Sequence, residues 1–243
     1  MVAYLWTFSN ERFSRSSHSS FRLHNGFRSR RLLIEPGIIQ EKPLFSISAF
    51  AGDSCFRNGE GTRRVTQRKL LLCDLAERHQ GLTSAIAASY WEAARVCLDR
   101  HHSPPVEFEL DNSGQKVKAA TEWEVTDART RSAWANEIDT TEAGAYACAL
   151  AAVELCEGLV AVHRAETKTG ADYYVAPMNT SPEDLESCIR LEVSGLDRGT
   201  IPSIVRRLKD KLEQAKSGKS NLPAIATVVG FRERLIMLAP LQP

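Results

Sequence analysis

The sequence predicts an α/β (α+β) fold in which a mixed β-sheet is flanked by helices. The first observation behind this prediction is the order of patterns in the last hundred residues, which is helix, three strands, helix, strand. The second is the continuous apolar run AIATVVGF at 224–231, which is typical of a strand covered on both faces. The third is the alternation CIRLEVS at 188–194, which indicates a strand with two unlike faces.

Composition argues against several classes of protein. The 243 residues carry 31 Lys and Arg against 30 Asp and Glu, so net charge alone gives no reason to expect nucleic acid or anionic lipid. No run approaches twenty apolar residues, so we expect no contact with a membrane. The six cysteines form no C-x-x-C pair, which argues against a structural zinc site and favours reduced thiols. A cytoplasmic location is the default expectation.

Residues 1–64 differ from the rest of the chain. Residues 1–34 contain six Arg and seven Ser, but no Lys and a single acid, Glu11. Such a start is typical of an organellar transit peptide, and a mis-assigned start site gives the same composition. We therefore expect a poorly ordered extension over 1–64 and a single α/β domain over 65–243, with its core at about 139–238.

The first part of this domain predicts a helix and a hairpin. Thr83 or Ser84 can cap a helix that runs to about Arg100. Residues 106–110 alternate apolar and acidic side chains and predict a short strand, which residues 116–125 pair with after a turn.

The core predicts the remaining elements. Asp139 and Glu142 resemble a capping box at the start of an Ala-rich helix over 142–157, which Gly158 ends. The elements that follow are strands at 159–166, 171–176 and 188–194 (ended by Gly195), a helix from about Pro202 to Lys216 with an apolar face beginning at Ile201, and strands at 224–231 and 235–238.

Two acids on neighbouring predicted strands suggest chemistry. Asp172 opens the second strand of the core, and Glu192 lies in the middle of the third. Two carboxylates that converge at one edge of a sheet can hold Mg²⁺, which prefers oxygen ligands and keeps several waters. A bound Mg²⁺ activates water and neutralises charge on a phosphodiester, and a nearby Lys or Arg stabilises the charge that develops.

The element order, with Asp on the second strand and Glu on the third, resembles the core of the PD-(D/E)XK nuclease-like superfamily over residues 139–238. The third strand in that superfamily carries Glu-x-Lys, whereas here Ser194 stands where the Lys is expected. Some members place the basic residue on the following helix. The resemblance then implies that Lys211 or Arg207 stabilises the transition state, that Gln214 has a positioning role, and that DNA or RNA is the substrate.

Further assignments stay open at this point. Glu154, on the preceding helix, would supply a third acid, as in some members of the superfamily. Glu166-Thr-Lys168 is a literal Glu-x-Lys at the end of the first strand, and it makes Lys168 an alternative cation near Asp172. The segments G-x-D-Y-Y and L-E-V-S-G also resemble an uncharacterised bacterial family with no assigned activity.

Two other functions compete with the nuclease hypothesis. The first is a non-catalytic interaction protein that binds a protein partner through exposed apolar residues such as Trp123 and Trp134. The second is a DNA- or RNA-binding module that kept the basic helix and lost the metal. Each of the two acids is equally well explained as an ordinary strand residue.

Overall fold

A computed structural model describes residues 67–167, 169–181, 183–218 and 220–241. The expected extension over 1–64 and Lys168 lie outside these residues. None of the described helices is long and apolar enough to cross a membrane.

The described part of the chain contains five α-helices and eight β-strands, and its core follows the predicted order of helix, three strands, helix, strand. The elements are β1 (Arg68–Lys69), α1 (Leu75–Arg78), α2 (Ser84–Asp99), β2 (Val106–Asn112), β3 (Gln115–Thr121), α3 (Ala128–Ala133), α4 (Glu137–Glu157), β4 (Leu159–Arg164), β5 (Tyr173–Pro177), a 3₁₀ turn (Leu185–Ser187), β6 (Ile189–Leu196), α5 (Ile201–Ser217), β7 (Ala224–Gly230) and β8 (Leu235–Pro240).

The strands form one mixed sheet in the order β1-β3-β2-β8-β7-β6-β5-β4. Strands β4, β5 and β6 are antiparallel, β6 and β7 are parallel, and β8 runs antiparallel to β7. The predicted β2–β3 hairpin joins the same sheet because β2 pairs in parallel with β8. This mixed sheet with its helices confirms the predicted α/β fold class.

Helices α4 and α5 cover opposite faces of the sheet. A glycine on each face lets the helix lie close to the strand beneath it. A Cβ added at Gly195 in β6 would lie 2.6 Å from the carbonyl oxygen of Thr141 in α4. A Cβ added at Gly230, at the end of β7, would overlap the side chain of Ile204 in α5. Strand β7 is therefore buried along its whole length, as its apolar run predicts.

The start of α4 differs from the prediction. Asn136 is the N-cap, and its side-chain oxygen accepts from the backbone N–H groups of Ile138 and Asp139. The predicted capping box at Asp139 and Glu142 is therefore wrong, because the helix already begins at Glu137 and Asp139 lies inside its first turn. Gly158 ends the helix in the left-handed conformation, with φ 67°, as predicted.

Two other boundaries also need correction. Gly195 was expected to end the third core strand, but it pairs with Val229 and β6 continues to Leu196. A parallel partner keeps the strand extended past the glycine. Ile201 begins α5 but is 53% exposed, so the buried face of this helix starts at Ile204.

Candidate active site

A cavity of about 980 Å³ lies between the first half of α4 and the inner face of α5, where β5 begins and β6 ends. Five of the six predicted site residues line it together: Asp172, Glu192, Arg207, Lys211 and Gln214.

At the entry to β5, three hydrogen bonds connect Asp172 to β6 and α4. Its backbone N–H donates to the carbonyl oxygen of Leu191 at 2.8 Å. Its Oδ2 accepts from the backbone N–H of Val193 at 2.8 Å, and its Oδ1 accepts from the hydroxyl of Tyr146 at 2.8 Å. The carboxylate is thus tied to β6 on one side and to α4 on the other.

Glu192 and Lys211 form the central ion pair of the cavity. Glu192 lies in the middle of β6, and its side chain is 4% exposed. The Lys211 ammonium lies 2.6 Å from Oε1 of Glu192 and donates a second hydrogen bond to Oε1 of Gln214 at 3.1 Å. Arg207 lines the same cavity one turn earlier on α5 and is exposed.

Burial raises the pKa of the Glu192 carboxyl above its usual value, and the charge of Asp172 acts in the same direction. The hydrogen bond from Lys211 opposes this rise because it stabilises the ionised form. Lys211 therefore provides the compensating charge for a carboxylate that has little access to water.

Arg190, which sequence reasoning missed, lies beside the cavity and connects two segments that line it. It is 3% exposed and lies on the same face of β6 as Glu192, two residues away. Its guanidinium donates to the carbonyl oxygens of Thr169, Ala215 and Leu222. These bonds tie the turn before Asp172 to the last turn of α5.

An aromatic cluster beside Asp172 was also missed. The guanidinium of Arg164 lies 4.6 Å from the ring centres of both Tyr146 and Tyr173. Burial raises the pKa of the Tyr146 hydroxyl, so this group stays a hydrogen-bond donor. Tyr146 stands in an Ala-rich helix, where sequence alone indicates a core residue. Its proximity to Asp172 depends on the packing of α4 on β5.

Glu154 does not join the other predicted site residues. Its carboxylate accepts from Nε of Arg78 at 2.9 Å and lies 3.3 Å from Nε2 of the buried His79. It lies two turns beyond Tyr146 on α4 and faces α1, so the expected third acid is absent from this cluster.

The tryptophans expected to form an exposed patch are instead held by α2. Trp123 is 7% exposed, and its indole N–H donates to Asp99 at 2.6 Å. The indole N–H of Trp134, which is partly buried, donates to Glu92 at 2.8 Å. The prediction of an exposed apolar patch at these residues is wrong, because α2 supplies an acidic partner for each ring.

The donor set at Asp172 and Glu192 suits a hard cation such as Mg²⁺. Each oxygen of Asp172 accepts one hydrogen bond, and Oε1 of Glu192 accepts one from Lys211. A carboxylate offers about four acceptor sites, so both groups keep sites for a cation. No group of three or more His, Cys, Asp or Glu in the described part of the chain is arranged to hold a metal. Two carboxylates completed by water are a common Mg²⁺ arrangement.

Among the residues that the structure describes, the lining of the cavity carries an excess of acidic side chains, although the whole chain is near neutral. Six acidic and three basic side chains of this described part line it. The acidic ones are Glu137, Glu142, Glu166, Asp172, Glu192 and Asp197, and the basic ones are Arg164, Arg207 and Lys211.

No family model, curated protein or solved structure matches the chain. The resemblance to the PD-(D/E)XK nuclease-like superfamily, and that to the uncharacterised bacterial family, therefore stay predictions.

Proposed function

We propose that this protein cleaves phosphodiester bonds in a reaction that depends on Mg²⁺. The observation that carries the proposal is the meeting of Asp172, Glu192 and Lys211 at one cavity, with Lys211 2.6 Å from Glu192. Two carboxylates can hold a cation that activates water, and an ammonium can stabilise the negative charge that develops on a phosphodiester.

The charge of the cavity favours a reaction that needs a cation. The lining that the structure describes has six acidic and three basic side chains, and this acidic excess disfavours a bare phosphodiester by charge repulsion. A divalent cation held by Asp172 and Glu192 would offset part of this repulsion, and would supply an activated water when bound.

Asp172, Lys211 and Gln214 would then have different roles in the reaction. Asp172, held by Val193 and Tyr146, presents a fixed carboxylate to the cavity. Lys211 has a flexible stem, so its ammonium can move from Glu192 to a phosphate oxygen and stabilise the developing charge there. Gln214 limits that movement by accepting a hydrogen bond from the same ammonium.

The test uses the full chain with short single-stranded DNA, duplex DNA and RNA. We expect cleavage with Mg²⁺ or Mn²⁺ and none with EDTA. Asp172→Asn and Glu192→Gln should each abolish cleavage while leaving the circular dichroism spectrum unchanged. Glu166→Gln is the matched control, because it removes one exposed carboxylate from the same cavity without touching Asp172 or Glu192.

Two results would contradict the proposal. One is equal activity in wild type, Asp172→Asn and Glu192→Gln. The other is the absence of cleavage in wild type together with no heat of Mn²⁺ binding in calorimetry.

A second candidate is nucleic-acid binding without cleavage. Lys211 already neutralises Glu192, and the exposed side of α5 carries basic residues beyond the cavity. This function predicts an affinity that falls steeply with salt concentration, without turnover and without dependence on Asp172. The exposed basic residues on this helix are Arg206, Arg207, Lys209 and Lys216.

A further inference from the structure

We propose that Tyr146 and Arg164 are positioning residues that fix the Asp172 carboxylate for a divalent cation. This inference rests on the metal-binding role proposed above for Asp172.

The direction of the hydrogen bonds at Tyr146 is the first step. Its hydroxyl oxygen accepts from Nη2 of Arg164 at 3.1 Å. Its single proton can then go to Oδ1 of Asp172 at 2.8 Å or to Oε1 of Glu142 at 3.4 Å. The shorter contact takes the proton, because hydrogen bonds between oxygens are best near 2.7–2.8 Å. Arg164 can only donate to the Tyr146 oxygen, so the hydroxyl proton remains free for Asp172.

The position of Arg164 is itself fixed by aromatic rings. Its guanidinium lies 4.6 Å from the ring centres of Tyr146 and Tyr173, a geometry that favours cation–π attraction to both. The hydroxyl groups of Tyr173 and Tyr90 lie 2.8 Å apart, which anchors the second ring to α2. Arg164 therefore has little freedom to turn away.

The direct contact between Arg164 and Asp172 is weaker than the path through Tyr146. Nη2 of Arg164 lies 3.6 Å from Oδ1 of Asp172, which is beyond hydrogen-bond distance, and the Arg164 side chain is 46% exposed. Since Val193 holds the other oxygen, the loss of Tyr146 would free one end of the carboxylate only. Loss of such an outer partner weakens metal binding by about 10- to 100-fold.

The first test is calorimetric titration of Mn²⁺ into the full chain. Tyr146→Phe should weaken Mn²⁺ affinity by about tenfold or more. Tyr174→Phe is the matched control, because it removes a hydroxyl of strand β5 that bonds Glu166 and makes no hydrogen bond to Arg164, Tyr146 or Asp172, and it should leave the affinity unchanged. Wild-type affinity in Tyr146→Phe would overturn the proposal, since a purely structural role lowers stability without changing Mn²⁺ binding.

The variant Arg164→Met distinguishes a role of Arg164 in orienting Asp172 from the effect of its positive charge on a nearby cation. Removal of a positive charge near a cation site should tighten Mn²⁺ binding by Coulomb's law alone, whereas loss of positioning should weaken it. Weaker binding supports the proposed role of Arg164, and tighter binding contradicts it.

A cycle of urea unfolding distinguishes failure of this inference from failure of the proposed function. The proteins are wild type, Tyr146→Phe, Asp172→Ala and the double variant, because an Asn at 172 would still accept the hydrogen bond from Tyr146. If Tyr146 acts on Asp172, the midpoint of the double variant falls by less than the sum of the two single decreases. Absence of Mn²⁺ binding in wild type with a non-additive cycle would refute the metal function and keep the contact that orients Asp172. An additive cycle would refute the positioning role.

Discussion

The change Lys211→Met should reduce stability in a way that depends strongly on pH. Glu192 is 4% exposed and Lys211 17% exposed, so removal of the ammonium leaves a buried carboxylate without a compensating charge. Breaking a buried ion pair in this way costs roughly 3–5 kcal/mol in free energy of unfolding. Because Lys211 is partly exposed, we expect the lower end of this range, about 3 kcal/mol, at about pH 8.

The sign of the pH dependence follows from the pKa of Glu192. Burial already raises the pKa of this carboxyl in the folded chain, and loss of Lys211 raises it further. A folded state that binds a proton more tightly than the unfolded state loses stability as the pH rises through the interval between the two pKa values. The difference between wild type and Lys211→Met should therefore grow with pH. This difference should fall to about 1 kcal/mol at about pH 4.5, because a protonated Glu192 carries no charge and the variant then lacks only the hydrogen bond from Lys211.

Urea unfolding of the full chain, followed by circular dichroism at both pH values, measures these costs. Lys209→Met is the matched control, because Lys209 is exposed on the same helix and should change stability by less than about 0.5 kcal/mol. Adding Glu192→Gln to Lys211→Met should remove most of the pH dependence. Equal destabilisation at the two pH values would refute the assignment of a buried, Lys-compensated charge at Glu192.

Three further variants test the elements that hold the cavity. Arg190→Met should destabilise the chain by about 2–4 kcal/mol, measured by urea unfolding, because one buried and two partly buried carbonyl oxygens lose their donor; a change under about 0.5 kcal/mol would contradict this role. Gly195→Ala should cost about 1–3 kcal/mol in the same assay, since its Cβ would lie 2.6 Å from the oxygen of Thr141, and unchanged stability would show that α4 can move away. Glu154→Gln should lower the free energy of unfolding by about 2 kcal/mol, because it weakens the hydrogen bonds from Arg78. The Mn²⁺ affinity measured by calorimetry should not change, and a weaker affinity would show that Glu154 takes part in metal binding.

The order of elements could be predicted because hydrophobic periodicity records which face of an element is buried. The run at 224–231 indicated a strand covered on both faces, and α4 and α5 do cover β7 from opposite sides. Helix ends that depend on a single polar contact were harder to predict. The start of α4 depends on the Asn136 cap, but Asp139 with Glu142 fits the sequence pattern of a helix start equally well.

The site was predictable only as far as individual strands. An acid that alternates with apolar residues on a strand faces either solvent or a packed helix, and the sequence pattern is the same in both cases. In the structure, Glu192 and Arg190 both face α5. Glu192 accepts a hydrogen bond from Lys211, and Arg190 donates one to the carbonyl oxygen of Ala215, and neither contact can be inferred from the strand pattern. Tyr146 and Arg164 come from α4 and β4, and no spacing in the sequence links them to Asp172.

The resemblance to PD-(D/E)XK nucleases would place a lysine at position 194, and the position of Lys211 shows how the cavity has an ammonium group next to Glu192 with Ser194 there instead. Residues 192 and 194 share one face of β6, and this is the face that α5 covers. The close contact of α5 with the sheet at Gly230 brings the helix near enough for Lys211 to reach Glu192 across the layer. A long side chain at 194 would compete for the same carboxylate and for the same space within the cavity. One lysine on the helix therefore supplies the charge that a strand lysine would otherwise supply, and Ser194 leaves room for it.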